Sequence, residues 1–482
     1  MKIIHLVAGA GGMYCGSCLQ GNTLCGALRQ AGHDVLMVPV YTPVRTDEPN
    51  VGERRVAMGG LNVFLQQQSS LFRRAPRFVD RLLDHPGLLG RLGGATRPER
   101  LGRLTVSMLR GEQGNQRKEL DKLVAWLAAE GRPDVIHLST ALLVGAARTL
   151  SERLGAPVVA TLAGEDSFVE RLHEPHRTEA REELRARCAE LAGLIAPSAY
   201  YAEFMANYLG LPAERITVIR PGLNLEGHAI PGRRTSVGAE AEAAREEEPS
   251  TEELPGDEPP DDEPAGDETT GDEPRTGRED VITVEPEPVV PERRAVRVGY
   301  FSRICPTKGL HQLIEAFRVL LRDPTLPPVR LVAAGHLGRG DRGYYRQIRR
   351  HLARRGLAAW FEYRGELDRP GKIAFLQSID VLCIPATRPE SRGLAVLEGW
   401  ANGAPAVLPD HGVYSELVAE TGGGLLYEPN RPTALAAALE RMIRNPALAE
   451  RYGRQAQETV HREFDARRAA ERMIEVYRKC EV

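Results

Sequence analysis

Short apolar runs alternate with helix-forming sequence along most of the chain, and this alternation limits the fold more than any other feature. In the first half the runs occupy residues 2–8, 34–40, 134–138, 157–163, 193–198 and 216–222. A second series occupies residues 296–302, 330–335, 360–365, 380–385, 404–409 and 423–427. Most runs lead through glycine, serine or proline into helix-forming sequence, which is typical of a buried parallel sheet with helices on both faces. We therefore predict an α/β protein of two Rossmann-like, doubly wound domains.

An acidic segment separates the two series. Residues 228–292 break the alternation, and residues 256–274 are a degenerate acidic repeat with almost no large apolar side chain. Such a sequence cannot bury enough apolar surface to offset the entropy of ordering it, so we predict a disordered linker. The predicted organisation is a first domain over 1–227, the linker over 228–292, a second domain over 293–460 and a C-terminal helix over 461–482.

The acidic linker conceals a strongly basic remainder. Residues 240–292 hold 21 Asp and Glu against three Arg, a net charge of −18. The whole chain carries −3, so the rest of it carries +15. A basic surface suits an anionic ligand, an acidic acceptor or an anionic membrane surface. The linker itself has two interpretations. In the first it is an acidic tether that screens the basic cleft or binds a basic partner, and in the second it is a solvated spacer.

Length and cysteine content limit the class of protein. A chain of 482 residues is long enough for two domains. Its sequence has no uninterrupted apolar run of about 18 residues, which argues against a transmembrane helix, and its first residues fit a strand better than a signal peptide. The seven scattered cysteines argue against a disulfide framework and for a reducing compartment. We expect a cytoplasmic protein.

Two of the cysteines form a C-x-x-C pair. Cys15 and Cys18 stand near the expected start of the first helix. A zinc site would need two further ligands at metal-binding spacing, and no second C-x-x-C or histidine pair stands nearby in the sequence. A thioredoxin-like redox role and packing within the loop are the other interpretations, and the sequence leaves them open.

Two glutamates eight positions apart are candidate site residues of the second domain. Glu390 falls in a strand-to-helix loop, and Glu398 falls about a turn inside the helix that follows. Between them the free amides of Gly393, Leu394 and Ala395 open that helix, where a phosphate would be favoured. A sugar carried on a nucleoside diphosphate needs amides for the diphosphate and carboxylates for ribose and sugar hydroxyls. The alternative is that Glu390 is solvated and Glu398 pairs with an arginine.

Two cations stand in a loop after the first strand of the second domain. Arg303 and Lys308 are five residues apart, and Lys308 is one of only six lysines in the chain. Such a pair can grip a diphosphate from one side and stabilise the charge that builds on it as it leaves. A surface ion pair is the alternative interpretation.

These segments resemble the motifs of one enzyme family. The run PESRGLAVLEGWANG at 389–403 resembles the Glu-(seven residues)-Glu signature of family-4 glycosyltransferases, and residues 401–418 resemble the remainder of it. The run FSRICPTKGL at 301–310 is similar to the family's Gly-Arg…Lys-Gly segment, with Ser302 in place of the glycine. The similarity covers nearly the whole chain apart from the linker.

The resemblance implies a fold and a reaction. It implies the GT-B fold, in which two Rossmann-like domains face a cleft and the last helix crosses back onto the first domain. It further implies a retaining transfer, with the acceptor on the first domain and the nucleotide sugar on the second. Arg303 and Lys308 would hold the leaving diphosphate, and with Glu390 they are the predicted catalytic residues. Arg364, before Gly365, is the predicted residue on the side of the nucleotide base.

The first domain offers weaker signals. Gly11 and Gly12 would let the backbone approach the donor closely, whereas a complete dinucleotide-binding fingerprint is absent from the sequence. Many family members carry a histidine where Ala163 stands, so Glu165 and Asp166 are the predicted replacements on the sugar and acceptor side. His137 occupies another position that the family often fills with histidine, and it is either a site residue or a packed residue at a strand end.

One basic, apolar-rich segment is ambiguous. Residues 61–111 suit amphipathic helices that lie on an anionic membrane or around a lipid-linked or polymeric acceptor. The other interpretation is an acceptor-side insertion packed on the first domain.

We therefore predict a glycosyltransferase, of hexosyltransferase type, that uses a UDP or GDP sugar and a glycan or lipid-linked acceptor. Neither a cofactor nor a metal is expected, because Arg303 and Lys308 stand where a metal would otherwise neutralise phosphate. Nucleic acid is not an expected partner, and peripheral contact with an anionic membrane at its inner face is compatible with the basic charge. Two alternatives stay open: a nucleotide-sugar epimerase on the same fold, and a non-enzymatic module that binds nucleotide sugars or anionic polymers.

Overall fold

The computed structural model describes residues 1–9, 14–59, 63, 66–67, 101–230 and 294–480. Most of the predicted linker and most of the ambiguous segment at 61–111 lie outside these residues. The described chain contains two six-stranded sheets in which all neighbouring strands are parallel. The prediction of two doubly wound α/β domains is therefore confirmed.

The first sheet lies in the N-terminal half, and its strand order is β2-β1-β3-β4-β5-β6. Its strands are β1 Lys2–Val7, β2 Asp34–Pro39, β3 Val135–Leu138, β4 Val158–Thr161, β5 Gly193–Ala196 and β6 Ile216–Val218. The central strands are buried at almost every position because helices cover both faces of the sheet. These helices are α1 Gly16–Gln30, α2 Gly102–Leu109, α3 Arg117–Ala129, α4 Ala147–Leu154, α5 Glu165–Val169, α6 His176–Ala189 and α7 Ala199–Leu209.

The second sheet repeats the arrangement with the strand order β12-β11-β10-β7-β8-β9. Its strands are β7 Val296–Phe301, β8 Val329–Ala334, β9 Phe361–Tyr363, β10 Val381–Cys383, β11 Ala406–Pro409 and β12 Gly424–Tyr427. Its helices are α8 Leu310–Leu320, α9 Arg342–Arg354, α10 Arg369–Ser378, α11 Leu394–Ala401, α12 Val413–Thr421, α13 Pro432–Arg444 and α14 Pro446–Glu463. The order of the strands places β7 beside β10, so the loops that follow these two strands meet at one edge of the sheet.

The predicted tail helix differs from the structure at its start. Residues 461–463 belong to α14, and a separate helix α15 spans Ala466–Cys480. The break occurs because Leu223 N donates to Phe464 O at 2.7 Å and Ala466 N donates to Leu223 O at 2.9 Å. Helix α15 packs against α1, and its Tyr477 hydroxyl lies 2.6 Å from His137 Nδ1. The end of the described chain therefore lies on the first domain.

The first residues of the predicted linker pack on the second domain. His228 and Ala229 are buried, and Ala229 N donates to Asn402 Oδ1 at 3.2 Å. Gln457 Nε2 donates to Ala229 O at 3.0 Å. The contacts of these residues with the second domain thus lie past the predicted boundary at 227. No described helix is long and apolar enough to cross a membrane.

Candidate functional site

The centre of the candidate site is an ion pair between the loops after β7 and β10. Lys308 Nζ donates to Glu390 Oε1 at 2.6 Å, and both side chains are partly buried. Lys308 ends a 3-10 turn and is followed by Gly309, whose φ of 75° lies in the left-handed region. A Cβ on Gly309 would lie 1.8 Å from the carbonyl oxygen of Pro385, so only glycine lets the two loops approach this closely. The structure thus brings together two residues predicted from sequence 82 positions apart.

The start of α11 lies next to this pair. Gly393 is the N-cap residue, with a φ of 67°, and no side chain caps the helix. A Cβ on Gly393 would approach Leu417 Cδ1 to 2.6 Å, which explains a glycine here. Among the described residues, no hydrogen bond from the amides of Gly393, Leu394 or Ala395 is present. The helix therefore presents free N–H groups, with the positive end of its dipole, three residues after Glu390.

Glu398 lies in α11 and is held by a lysine rather than an arginine. Lys372 Nζ, on α10, donates to Glu398 Oε1 at 2.6 Å and also to Asp47 Oδ2 of the first domain. Lys372 and Asp47 are almost fully buried. Burial alone would lower the pKa of Lys372, but the two carboxylates outweigh it and raise that pKa. The three side chains form a charged bridge between the domains, and a contact between Glu398 and ribose stays a prediction.

Arg303 follows β7 and Arg364 follows β9, so both lie at the carboxyl ends of strands of the second sheet, but neither contacts Glu390. The side chain of Arg303 is exposed and makes no ion pair with any residue that the structure describes. Arg364 follows β9, and its Nε donates to Glu362 Oε1 at 2.7 Å. A role for Arg303 at the diphosphate and for Arg364 beside the base stays a prediction.

A polar network that the sequence did not predict joins the two domains at the carboxyl ends of β8 and β9. Glu366 pairs with Arg45 of the first domain at 2.6 Å and with His336 Nδ1. The Arg45 guanidinium also lies over the Tyr14 ring, 4.2 Å from its centroid. The only available signal was that His336 and Glu366 each follow a strand, and nothing in the sequence indicated Arg45 as their partner.

His137 is a packed residue of β3. It is fully buried, and its Nε2 lies 2.8 Å from Thr161 Oγ1 while its Nδ1 faces Tyr477. Burial, and then the neighbouring His5 ring, lower the pKa of His137 well below its ordinary value. Both ring nitrogens are therefore engaged inside the domain, as expected for the packed-strand interpretation.

Glu165 and Asp166 are bonded to their own domain. The buried Glu165 carboxylate accepts hydrogen bonds from Thr140 Oγ1 at 2.7 Å, Ala141 N at 2.8 Å and Ala163 N at 2.6 Å. These bonds tie the loops after β3 and β4 together. Asp166 is partly buried, and its Oδ1 accepts from the Tyr201 hydroxyl at 2.6 Å. Of the two predicted sugar-side carboxylates, only Asp166 keeps partial exposure.

Arg392 is a site residue that the sequence reasoning missed. It lies between Glu390 and Gly393, and its Nη2 donates to Ala163 O at 2.6 Å and to Ser17 Oγ at 2.9 Å. The Arg392 guanidinium thus contacts the backbone of the first domain at Ala163, the position that many family members fill with histidine. An arginine in a loop of predicted phosphate-binding type was the available signal.

Further contacts tie the β10–α11 loop (residues 384–393) and α12 to α7. Ser198 Oγ donates to Ser391 O at 2.9 Å. Glu416 accepts from the amides of Ala199 and Tyr200 at 3.0 and 3.1 Å, where it caps α7 of the other domain. The structure therefore holds this loop against the first domain. The predicted residues Gly11 and Gly12 lie outside the described residues.

Comparison with known proteins identifies the family. The family model "Glycosyltransferase Family 4" matches residues 22–226, and "Glycosyl transferases group 1" matches residues 287–459. The chain belongs to the family-4 glycosyltransferases. Together the two matches include every residue named above at the Lys308–Glu390 pair, at the bridge of Asp47, Lys372 and Glu398, and at the α11 amides.

Two curated relatives of this glycosyltransferase differ in how much they match. The phosphatidyl-myo-inositol mannosyltransferase of Mycobacterium leprae is 31% identical over 172 residues, which is 36% of this chain and 43% of the relative. The glycogen synthase of Mycobacterium tuberculosis is 26% identical over 350 residues, which is 72% of this chain and 69% of that protein. The chain thus spans less than half the length of the mannosyltransferase.

Solved structures show the same fold. The sucrose-phosphate synthase of Thermosynechococcus elongatus matches with a TM-score of 0.67 and 18% identity, over 99% of each chain. Anabaena HepE in complex with UDP-glucose matches with a TM-score of 0.60 and 16% identity, over 98% of this chain and 99% of that one. The glycosyltransferase therefore has the GT-B fold, as the sequence resemblance implied.

Proposed function

We propose that the enzyme transfers a hexose from a nucleoside diphosphate sugar, of the UDP or GDP type, to a hydroxyl of a glycan or lipid-linked acceptor. The observation that carries this proposal is the meeting of Lys308, Glu390 and the free α11 amides at the carboxyl ends of β7 and β10. The names of the relatives support it, because they include a mannosyltransferase and a glycogen synthase. The neighbour HepE was solved with UDP-glucose.

The proposed donor site uses both positive charge and free amides. The amides of Gly393–Ala395 would bind one phosphate of the diphosphate, and Lys308 and the exposed Arg303 would bind it from the other side. As the bond to the sugar breaks, negative charge builds on the departing diphosphate, and these fixed groups stabilise that charge. We propose that these cations supply the positive charge without a metal.

The Lys308–Glu390 pair would keep the site ready for the donor. At 2.6 Å the two groups neutralise each other, so neither charge is left alone in a partly buried site. The Lys308 ammonium has three donor positions, so it can keep its bond to Glu390 while it takes a phosphate oxygen. Glu390 keeps a second oxygen for a sugar hydroxyl. Glu398 would accept from ribose through Oε2, because Lys372 uses Oε1.

Retention of the anomeric configuration is proposed from the carboxylates of the first domain. An inverting enzyme needs a general base on the face of the sugar opposite the leaving group. Glu165 is buried and accepts three hydrogen bonds at 2.6–2.8 Å. Asp166 accepts from the Tyr201 hydroxyl through Oδ1 and from the Ser167 hydroxyl through Oδ2, so both of its oxygens are engaged and neither carboxylate is poised as that base. The acceptor hydroxyl would instead attack from the face that the diphosphate leaves, and a phosphate oxygen would take the proton.

A transfer assay tests this proposal. The full chain is incubated with UDP, GDP or ADP hexoses, with and without oligosaccharide and lipid-linked acceptors, and released nucleotide and product anomer are measured by chromatography and NMR. We expect acceptor-dependent release of one nucleotide and a product with the donor's anomeric configuration. Glu390→Gln should abolish transfer, whereas Arg388→Gln, an exposed change in the same loop, should not.

The other outcomes separate the alternatives. A product of opposite configuration would refute retention alone. Sugar isomers formed from the donor without any acceptor would favour an epimerase. Binding that weakens steeply with salt, without turnover, would favour a non-enzymatic module.

A further inference from the structure

The C-x-x-C pair occupies the first turn of α1. Cys15 is the N-cap residue and Cys18 is the third residue of the helix, and side chains at these two positions face each other across the turn. Cys18 is buried, whereas Cys15 is partly exposed, and each thiol shifts the pKa of the other. The pair is thus close enough to react and accessible from one side.

Cys15 differs chemically from most of the other described cysteines. The hydrogen bond from Cys18 lowers the pKa of the Cys15 thiol, and the Arg392 guanidinium and backbone amides lower it further. The same hydrogen bond raises the pKa of Cys18, as does burial. Burial raises the pKa of Cys25, Cys188 and Cys383. The thiolate is the nucleophile in disulfide exchange, and Cys15 is also the more exposed of the two cysteines, so Cys15 is the attacking residue of the pair.

We propose that Cys15 and Cys18 are a reversible dithiol–disulfide site that reacts with small-molecule or protein disulfides. The Cys15 thiolate attacks one sulfur of the oxidant, forms a mixed disulfide and releases one thiolate. Cys18 then loses its proton and attacks the Cys15 sulfur, which releases the second half of the oxidant as a thiol. Two protein thiols and one disulfide become one protein disulfide and two thiols, so electrons and protons balance.

Arg392 connects this site to the β10–α11 loop. Its guanidinium donates to Ser17 Oγ, inside the C-x-x-C sequence, and lies 3.3 Å from the position that a Cβ on Gly16 would take. Oxidation removes the negative charge of the Cys15 thiolate from the neighbourhood of Arg392. The redox state of the cysteine pair therefore changes the charge beside the loop that carries Glu390. An effect of this change on donor binding rests on the proposed function.

The test is a redox titration of the full chain in glutathione buffers of defined composition. Free thiols are trapped by alkylation, and the protein is measured as intact mass and by fragment mapping of the peptide that holds Cys15, Cys18 and Cys25. We expect one intramolecular disulfide between Cys15 and Cys18 in the wild type. It should be absent from Cys15→Ser and Cys18→Ser and unchanged in Cys25→Ser. Glutathione adducts alone, or a disulfide that involves Cys25, would overturn the proposal.

A second arm tests the role of Arg392. The guanidinium stabilises the reduced thiolate, so Arg392→Gln should shift the equilibrium toward the disulfide by roughly threefold or more, while Arg388→Gln should not. An equal midpoint in the two variants would refute the coupling. The titration uses no nucleotide sugar, so its failure leaves the proposed transfer untouched, and failure of transfer leaves the titration interpretable.

Discussion

Replacing Lys372 with methionine should destabilise the protein far more than the same change at Lys308. Both lysines contact a glutamate at 2.6 Å, but their surroundings differ. Lys372 is 7% exposed and bridges Glu398 and Asp47, whereas Lys308 is 16% exposed and its partner Glu390 is 25% exposed. The pairs are therefore matched in chemistry and distance and differ in burial and in the number of carboxylates that would be left unpaired.

The expected magnitudes follow from that difference. Removing one partner of a buried ion pair costs about 3–5 kcal/mol, because the charge left behind has lost its compensation. Lys372→Met leaves two such carboxylates and should fall in or above that range. An ion pair at the surface is worth roughly 0–1 kcal/mol. The Lys308–Glu390 pair is partly buried but closer to that limit, so Lys308→Met should cost about 1–2 kcal/mol.

Urea unfolding, followed by tryptophan emission, to which the fully buried Trp400 contributes, measures both effects. Asp47→Asn combined with Lys372→Met should recover part of the loss, because it removes one of the two unpaired charges. Equal costs for the two lysine variants, or a cost below about 1 kcal/mol for Lys372→Met, would refute the reasoning.

Three further predictions concern stability. Gly309→Ala places a Cβ 1.8 Å from Pro385 O at a φ of 75° and should destabilise the protein by about 3 kcal/mol. The control Gly356→Ala, at a φ of 67° with open space around it, should cost about 1 kcal/mol. Equal shifts of the urea midpoint in the two variants would contradict this. Burial lowers the pKa of His5 to about 4. Between about pH 6.5 and 4 the unfolded state therefore binds more protons than the folded state. The free energy of unfolding should fall by roughly 3 kcal/mol as the pH falls through that window. His5→Met should flatten that slope in unfolding curves at pH 7.5 and 4.5, and an unchanged slope would assign the acid sensitivity elsewhere. Tyr477→Phe removes the hydrogen bond to His137 and should cost about 1–3 kcal/mol in thermal or urea unfolding. The Tyr452 hydroxyl has no hydrogen bond among the described residues, so the control Tyr452→Phe should be nearly neutral.

The sequence predicted the strands well because a buried parallel strand is a short apolar run with clear ends. All twelve runs contain a strand of the structure, with ends that differ by a few residues. The ion pair of Lys308 and Glu390 was also within reach, since loops that follow neighbouring parallel strands meet at one edge. Both residues stand out in their loops from the sequence alone.

What the sequence did not predict depends on contacts between distant segments. Lys372 lies in none of the motifs, and nothing local in the sequence indicates that Asp47 reaches it across the two domains. The role of Arg392 is not visible in the sequence because its partners, Ser17 and Ala163, lie in the other domain. The break between α14 and α15 is invisible in the helical pattern, because it is made by backbone bonds to Leu223.

Glu165 shows that one sequence signal fits two different roles. As an acidic residue beside a position that the family often fills with histidine, it looked like a sugar contact. In the structure its oxygens accept bonds from Thr140, Ala141 and Ala163, which are 25, 24 and two residues away. A carboxylate that ties loops together has the same sequence signal as one that faces a ligand, so only the contacts separate them.

Calorimetric titration of UDP, GDP and ADP into the wild type, Lys308→Met, Arg303→Ala and Arg388→Gln tests the proposed donor site most directly. We expect one nucleotide to bind and its affinity to fall roughly tenfold to a hundredfold in the first two variants, because each loses a charged contact to the diphosphate. Arg388→Gln should bind as the wild type does. If no nucleotide binds, or if affinity is indifferent to Lys308 and Arg303, the donor site is not where the loops after β7 and β10 meet.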